Sequence, residues 1–369
     1  MSDRRPMQEL ADAGQSVWLD YIRRDLMATG ELDEMIDAGL RGMTSNPSIF
    51  EKAIGGSDLY DEAIAALLAE QPAASSVEIF ESLAIEDIRA ACDAFTRVYE
   101  TTSGADGFVS LEVAPTLAHD TEGTVSEAKR LWAAVDRPNL MIKVPATPEG
   151  LPAITELIGA GINVNVTLIF SLAHYEAVAH AFIAGIEQNP EPHEVASVAS
   201  VFISRIDSAV DDLLDGEGSD AALALRGRIA VANCKAVYAA ADDLLGDDFE
   251  AMWGRGVRPQ RPLWASTSTK NPAYSDVKYV EELVGEGTVN TVPPDTLDAF
   301  EDHGVSAPGA VADGVAEARA AIAALPGMGI DLDEVCDDLR AKGVVAFADA
   351  FDGMLAAIDE KKARLLGHG

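Results

Sequence analysis

Short apolar runs alternate along the chain with longer stretches in which apolar residues recur every three or four positions. The runs fall at 16–22 (SVWLDYI), 42–46 (GMTSN), 107–113 (GFVSLEV), 139–144 (NLMIKV), 162–170 (INVNVTLIF), 198–204 (VASVFIS), 261–267 (RPLWAST) and 287–292 (GTVNTV). Their length and composition predict strands, while the three- and four-residue spacing between them predicts helices, among them 57–70 and 76–100. Strands separated by helices are joined in parallel, and eight of them favour closure into a single (β/α)8 barrel of the TIM type. Two additions stand out. Residues 206–258 read as a long helix interrupted by the acidic DLLDGEGSD, and 308–366 as helices packed after the last strand. No linker rich in Gly, Ser or Pro sets either apart, so one domain is expected over 1–369.

Parity within the strands carries more than composition, because successive side chains of a strand point to opposite faces. Val109, Leu111 and Val113 oppose Ser110 and Glu112; Ile162, Val164 and Val166 oppose Asn163, Asn165 and Thr167; Val17 and Leu19 oppose Trp18 and Asp20; Met141 shares a face with Lys143. In a barrel the aliphatic set packs on the outer helices and the second set enters the lumen, where polar groups at strand C-terminal ends build sites. The alternative, a half-exposed antiparallel sheet, would give the same alternation with solvent on one face.

Lys143 is the anomaly in this pattern. It lies inside the apolar run Leu140–Val144, with the turn formers Pro145 and Pro148 beyond, and a buried ammonium must be paired or lose its charge. The barrel reading surrounds it with Asp20, Asn46, Glu112, Asn165 and Thr167.

Composition narrows the partners. With 48% hydrophobic and 24% charged residues the chain can bury a large core. No run reaches the ~18 apolar residues of a membrane span, and the N-terminus has no signal-like apolar stretch, which predicts a cytoplasmic protein. A formal net charge of −35 argues against nucleic acid or an anionic membrane as partner. Cys92, Cys234 and Cys336 are too scattered for a disulfide framework or a metal site and read as buried or half-buried thiols, and the six histidines form no ligand cluster. Neither metal nor cofactor is expected. An acidic protein that takes a phosphorylated sugar needs a local cationic pocket.

A lysine amine in water titrates near ~10.4, so only about one in a thousand is neutral near pH 7.4, and enclosure favours the neutral nucleophile. Such an amine attacks a ketone to give a carbinolamine and then a Schiff base, which makes a neighbouring C–C bond cleavable. Every step moves a proton, and Asp20 and Glu112 are the carboxylates for that work. The bland alternative is a lumen lysine that serves only as a salt-bridge partner.

TSNPSIF (44–50) and NLMIKVPATPEGLPAI (139–154) closely resemble the two signature segments of the transaldolase family. WLD, VSLEV, INVNVTLIFS and SVFISRID keep that family's order, so the resemblance spans about residues 14–300, and KNPAYSDVKYVEELVGEGTVNTVP is similar to the long, actinobacterial form. The resemblance implies a class I aldolase-like barrel that moves a dihydroxyacetone unit between sugar phosphates, from sedoheptulose 7-phosphate or fructose 6-phosphate to glyceraldehyde 3-phosphate or erythrose 4-phosphate. It implies Lys143 as Schiff-base lysine, Asp20 as acid and base, Glu112 and Thr167 as the pair holding a water, and Asn46 and Asn165 as ligands of the three-carbon unit. Ser200, Phe202 and Arg205 fall on the substrate rim, with Arg205 on the phosphate. WASTSTKNP lacks the arginine some relatives place there, so Ser266 and Lys270 are expected as the second phosphate contact. A homodimer formed through C-terminal helices is allowed, although the tail EKKARLLGHG is altered.

Alternatives remain at single positions: Arg205 can pair with Asp207 or Asp211, Phe202 can be plain core, and Asn46 can merely shape the turn before Pro47. Two rival functions share the barrel. A sibling aldolase that releases free dihydroxyacetone tends to carry glutamine and tyrosine where this chain has Glu112 and Phe202. A non-catalytic sugar-phosphate-binding barrel needs Arg205 but not Lys143, Asp20 and Glu112 together.

Overall fold

A computed structural model of the chain describes residues 6–246, 249, 252 and 256–367. All eight apolar runs form strands: β1 Gln15–Asp20, β2 Gly42–Thr44, β3 Phe108–Glu112, β4 Leu140–Pro145, β5 Val164–Ile169, β6 Ser197–Phe202, β7 Arg261–Ala265 and β8 Thr288–Val292. They close in sequence order, with β1 pairing β8 and every pair parallel, which excludes the antiparallel alternative. Several strands stop one or two residues short of their apolar run. The residues beyond leave the ladder and serve the loops above: Ser45, just past β2, turns its hydroxyl to donate to Ser110 O at 2.7 Å.

Both faces of the barrel wall are covered, as parallel strands require. Outward aliphatics such as Val109, Leu111, Val164 and Val166 are essentially inaccessible. Inside, register fixes which lumen residues share a level: Glu112 lies beside Lys143, Lys143 beside Asn165, and Asp20 beside Thr44. Trp18 lies opposite Gly42 in β2, and a Cβ on Gly42 would come within 2.6 Å of the indole, so only glycine lets the two strands pair there.

Parity misplaces one residue. Asn163 precedes β5 at the opposite end from the site, where its amide donates to Pro138 O and Leu140 O and accepts from Ala196 N. It ties loops at the base of the barrel because alternation identifies a face but not a depth. Near the other end of β5, the register with β6 shifts between Val166 and Ile169, and Leu168 adopts φ 61°.

The helix expected over 57–70 starts at Asp61, since Ser57 donates to Ala53 O and closes the preceding turn of π-helix Glu51–Gly55. The one expected over 76–100 spans Ser76–Thr101 behind a capping box of Ser75 and Glu78. The 206–258 addition comprises helices Ser204–Glu217, Asp220–Leu223 and Ile229–Leu245; its residues 247–248, 250–251 and 253–255 lie outside the described residues. The 308–366 segment forms Val315–Ala324 and the 36-residue helix Leu332–Gly367. All three cysteines are free and buried. Among the described residues, no helix is long and apolar enough to cross a membrane.

The long C-terminal helix crosses the mouth of the barrel rather than extending its wall. Arg340 donates to Ala146 O beyond β4, the His174 ring meets Asp337, and Lys361 donates to Ser57 O. Gly343 allows a close approach to the barrel: a Cβ there would stand 2.9 Å from Leu168 Cδ2. Arg205 Nη1 would be 3.7 Å from the same point.

Candidate active site

Lys143 is 5% exposed, at the C-terminal half of β4. Its amine donates to Ser45 O at 3.1 Å and lies 3.7 Å from Glu112 Oε2. The Glu112 side chain is only 7% exposed, and desolvation pushes its carboxyl up to about 7. Lys143 opposes that shift and Asp20 adds to it. Burial likewise raises Asp20, against the pull of Lys143 and of the Thr44 hydroxyl, which donates to Oδ1 at 2.7 Å. Two carboxyl groups raised above their ordinary range, Glu112 to about 7, share this site with one amine, an arrangement suited to acid–base work.

Thr167 Oγ1 and Glu112 Oε2 are buried without a hydrogen-bond partner among the described residues. Buried polar atoms are normally paired, so these two have hydrogen-bonding capacity to give to something from outside. Asn165 is clamped between strands: Nδ2 donates to Ser110 Oγ at 3.0 Å, and Oδ1 accepts from Ser200 Oγ at 2.6 Å. Ser200 therefore orients Asn165 from β6. Asn46 caps the helix Pro47–Phe50 through Oδ1, which accepts from Ile49 N, so it shapes the turn and still borders the cavity.

A cavity of about 490 Å³ opens above these groups. Asp20, Asn46, Lys143, Thr167, Ser200 and Phe202 line its floor and walls, and Arg205, Ser266 and Lys270 its far side. Asn165 stands one layer back, reaching the cavity through Ser200, while Glu112, beside Lys143, borders a neighbouring cavity with Ser45 and Asn46. Arg205 pairs with neither of its acidic neighbours. Asp207 accepts from Ala230 N and the Tyr279 hydroxyl, Asp211 from Gly227 N and the Tyr274 hydroxyl. The guanidinium lies instead over the ring of Phe202, 5.6 Å from its centroid, which gives Phe202 a task beyond core packing. Ser266, at φ 57°, shares a hydrogen bond with Ser204, and Lys270 donates to Ser268 Oγ.

Several lining residues escape a reading of strands and motifs. Lys52, on the π-helix after β2, faces the same cavity; partial desolvation, then Arg205 and Lys52, holds the Lys270 amine below its ordinary value. Among the described residues no carboxylate pairs with Arg205, Lys52 or Lys270. Its position three residues after TSNPSI was the available signal. Thr44 and Ser45 lie inside that motif but act through one hydroxyl and one carbonyl. Phe347, from the C-terminal helix, lies across the amine with its ring centroid 5.8 Å from Nζ, and no local pattern distinguishes it from the other apolar residues of its helix.

A closed parallel barrel with a buried lysine amine and raised carboxyl groups at its C-terminal rim is an aldolase-like (β/α)8 barrel. The family model described as Transaldolase/Fructose-6-phosphate aldolase matches residues 17–358. A transaldolase of Trichodesmium erythraeum is 46% identical, covering 97% of this chain and 97% of its own. One from Frankia alni is 46% identical over 97% and 98%, and transaldolase 1 of Streptomyces coelicolor 48% identical over 95% and 93%. The chain belongs to the transaldolase/fructose-6-phosphate aldolase family, and these relatives match it nearly end to end.

Proposed function

We propose that the chain carries out transaldolase chemistry, within the pentose phosphate pathway, through a Schiff base on Lys143. The observation that carries this reading is the enclosed amine 3.7 Å from a carboxyl group held near neutrality. The amine attacks the ketose carbonyl; Glu112, with Thr167, supplies the proton for loss of water and later holds the water that reverses the step. Asp20 takes the proton of the hydroxyl next to the bond that breaks, the bond's electrons pass into the iminium, and an enamine remains while the aldose departs. An aldose acceptor then adds to the enamine carbon, Asp20 returns the proton, and hydrolysis frees the new ketose.

Asn46 and Asn165 hold the hydroxyls of the three-carbon unit, with Ser200 setting the Asn165 amide. Phe202 provides an apolar wall. Arg205 grips the phosphate, and Lys270 with Ser266 supplies the second contact; a guanidinium fork suits phosphate oxygens. The partners are thus small sugar phosphates rather than nucleic acid or membrane, the single barrel unit is the working unit, and the cytoplasm is the expected compartment. A homodimer is compatible with this reading, since the site draws all its groups from one chain.

Borohydride reduction in the presence of fructose 6-phosphate, followed by peptide mass mapping, tests the proposal. The adduct is expected on Lys143, and Lys143→Ala should lose both adduct and activity. An adduct on Lys235 or Lys270 would overturn the assignment.

A further inference from the structure

We propose that Phe347, on the C-terminal helix, decides whether the cleaved three-carbon unit is transferred or released. The inference rests on the Schiff-base reading of Lys143. Phe347 is 6% exposed, borders the cavity, and lays its ring over the lysine amine, 5.8 Å from centroid to Nζ. Its helix is fastened on both sides of the mouth, by Arg340 and Asp337 at one end and Lys361 at the other, with Gly343 drawn down against Leu168. The ring is therefore a fixed cover, and the side of the amine towards Glu112 and Thr167 stays polar.

The chemistry gives that cover a consequence. After cleavage the nucleophilic enamine carbon lies two bonds from Nζ. In transfer it bonds to the aldehyde carbon of the acceptor, and Asp20 protonates the new alkoxide. In release the same carbon takes a proton from water, giving an iminium; water then adds to the iminium carbon, and free dihydroxyacetone leaves with the amine regenerated. Hydrolysis through Glu112 and Thr167 is common to both routes. Proton delivery to the enamine carbon belongs to release alone, and an apolar ring over the lysine denies water that approach.

The experiment measures dihydroxyacetone released and product transferred to erythrose 4-phosphate from the same fructose 6-phosphate, in the full-length protein and its variants. Phe347→Ala should raise the release-to-transfer ratio by about tenfold or more, a change in relative barriers that one excluded water can make, while borohydride still traps Lys143. Phe347→Leu, which keeps the cover without the ring, should stay near the parent ratio. Phe347→Gln fills the space with a water-binding amide and should also raise the ratio, so it decides the matter if the alanine variant does not fold. An unchanged ratio in the folded Ala or Gln variant, with Lys143 still trapped, overturns the role of Phe347. Absence of trapping in the unmodified protein overturns the Schiff-base reading instead.

Discussion

Lys143, Glu112 and Asp20 divide the proposed chemistry in ways that single substitutions separate. Attack by the amine does not require the substrate hydroxyl to lose its proton, whereas cleavage does. Asp20→Ala should therefore still form the covalent intermediate and stall before cleavage, so trapped protein accumulates while turnover falls by at least about a hundredfold. Rapid quench with borohydride checks this, and a variant without adduct would remove Asp20 from that step. Glu112 makes a second prediction, about stability. Its folded carboxyl titrates near 7 against an ordinary value of 4.5, so the folded state holds the proton more tightly and its contribution to stability is complete below the ordinary value. That contribution is lost as pH rises towards 7. Glu112→Gln lacks the titration, so its melting temperature relative to the parent should climb by a few degrees between pH 5 and pH 8. A flat difference would mean that the carboxyl is not raised.

The elements were legible to unequal depth. Parity in β3 and β4 placed Glu112 and Lys143 on one face because a strand's period is two and leaves little choice. In β5 the same rule put Asn165 and Thr167 rightly in the lumen but swept in Asn163, which sits below the site. The pattern predicts helices after the last strand but not the path of the C-terminal helix across the mouth. That path depends on contacts separated by more than a hundred residues, such as Arg340 to Ala146 and Lys361 to Ser57. Phe347 is hidden for the same reason, since it does not differ locally from an ordinary helix residue, whereas Lys52 is marked only by its place just after TSNPSI. Gly343 is the position where the helix's route is most exposed to test. Gly343→Val would force branched carbon against Leu168, where even a single added Cβ would stand at 2.9 Å. Overpacking there should cost about 1–3 kcal/mol. The melting temperature should fall accordingly, and a variant as stable as the parent would show that the helix does not need its close seat.

At the scale of the molecule, charge sets the terms. A net charge of −35 repels an incoming phosphate, and against it Arg205, Lys52 and Lys270 form one cationic corner free of carboxylate partners among the described residues. Arg205→Ala should raise KM for a phosphorylated ketose by roughly ten- to a hundredfold, the range of a hydrogen bond to a charged group. Lys52→Ala, acting at longer range and in solvent, should raise it roughly two- to fivefold, less so as salt is added. Unphosphorylated fructose should be handled alike by all three proteins; equal losses with that substrate would mean that the corner supports the fold and not the anion.

The helix over the mouth also orders the birth of the enzyme. Asp20, Glu112, Lys143 and Arg205 all precede it in the chain, so they are synthesised before the helix that covers them. Until that helix seats, the Lys143 amine would lack its Phe347 cover. On the proposed chemistry, a chain interrupted in that interval would carry a lysine open to any passing ketone or aldehyde, and to the water that discharges what it captures. On that reading, selectivity between transfer and release is the last property the chain acquires.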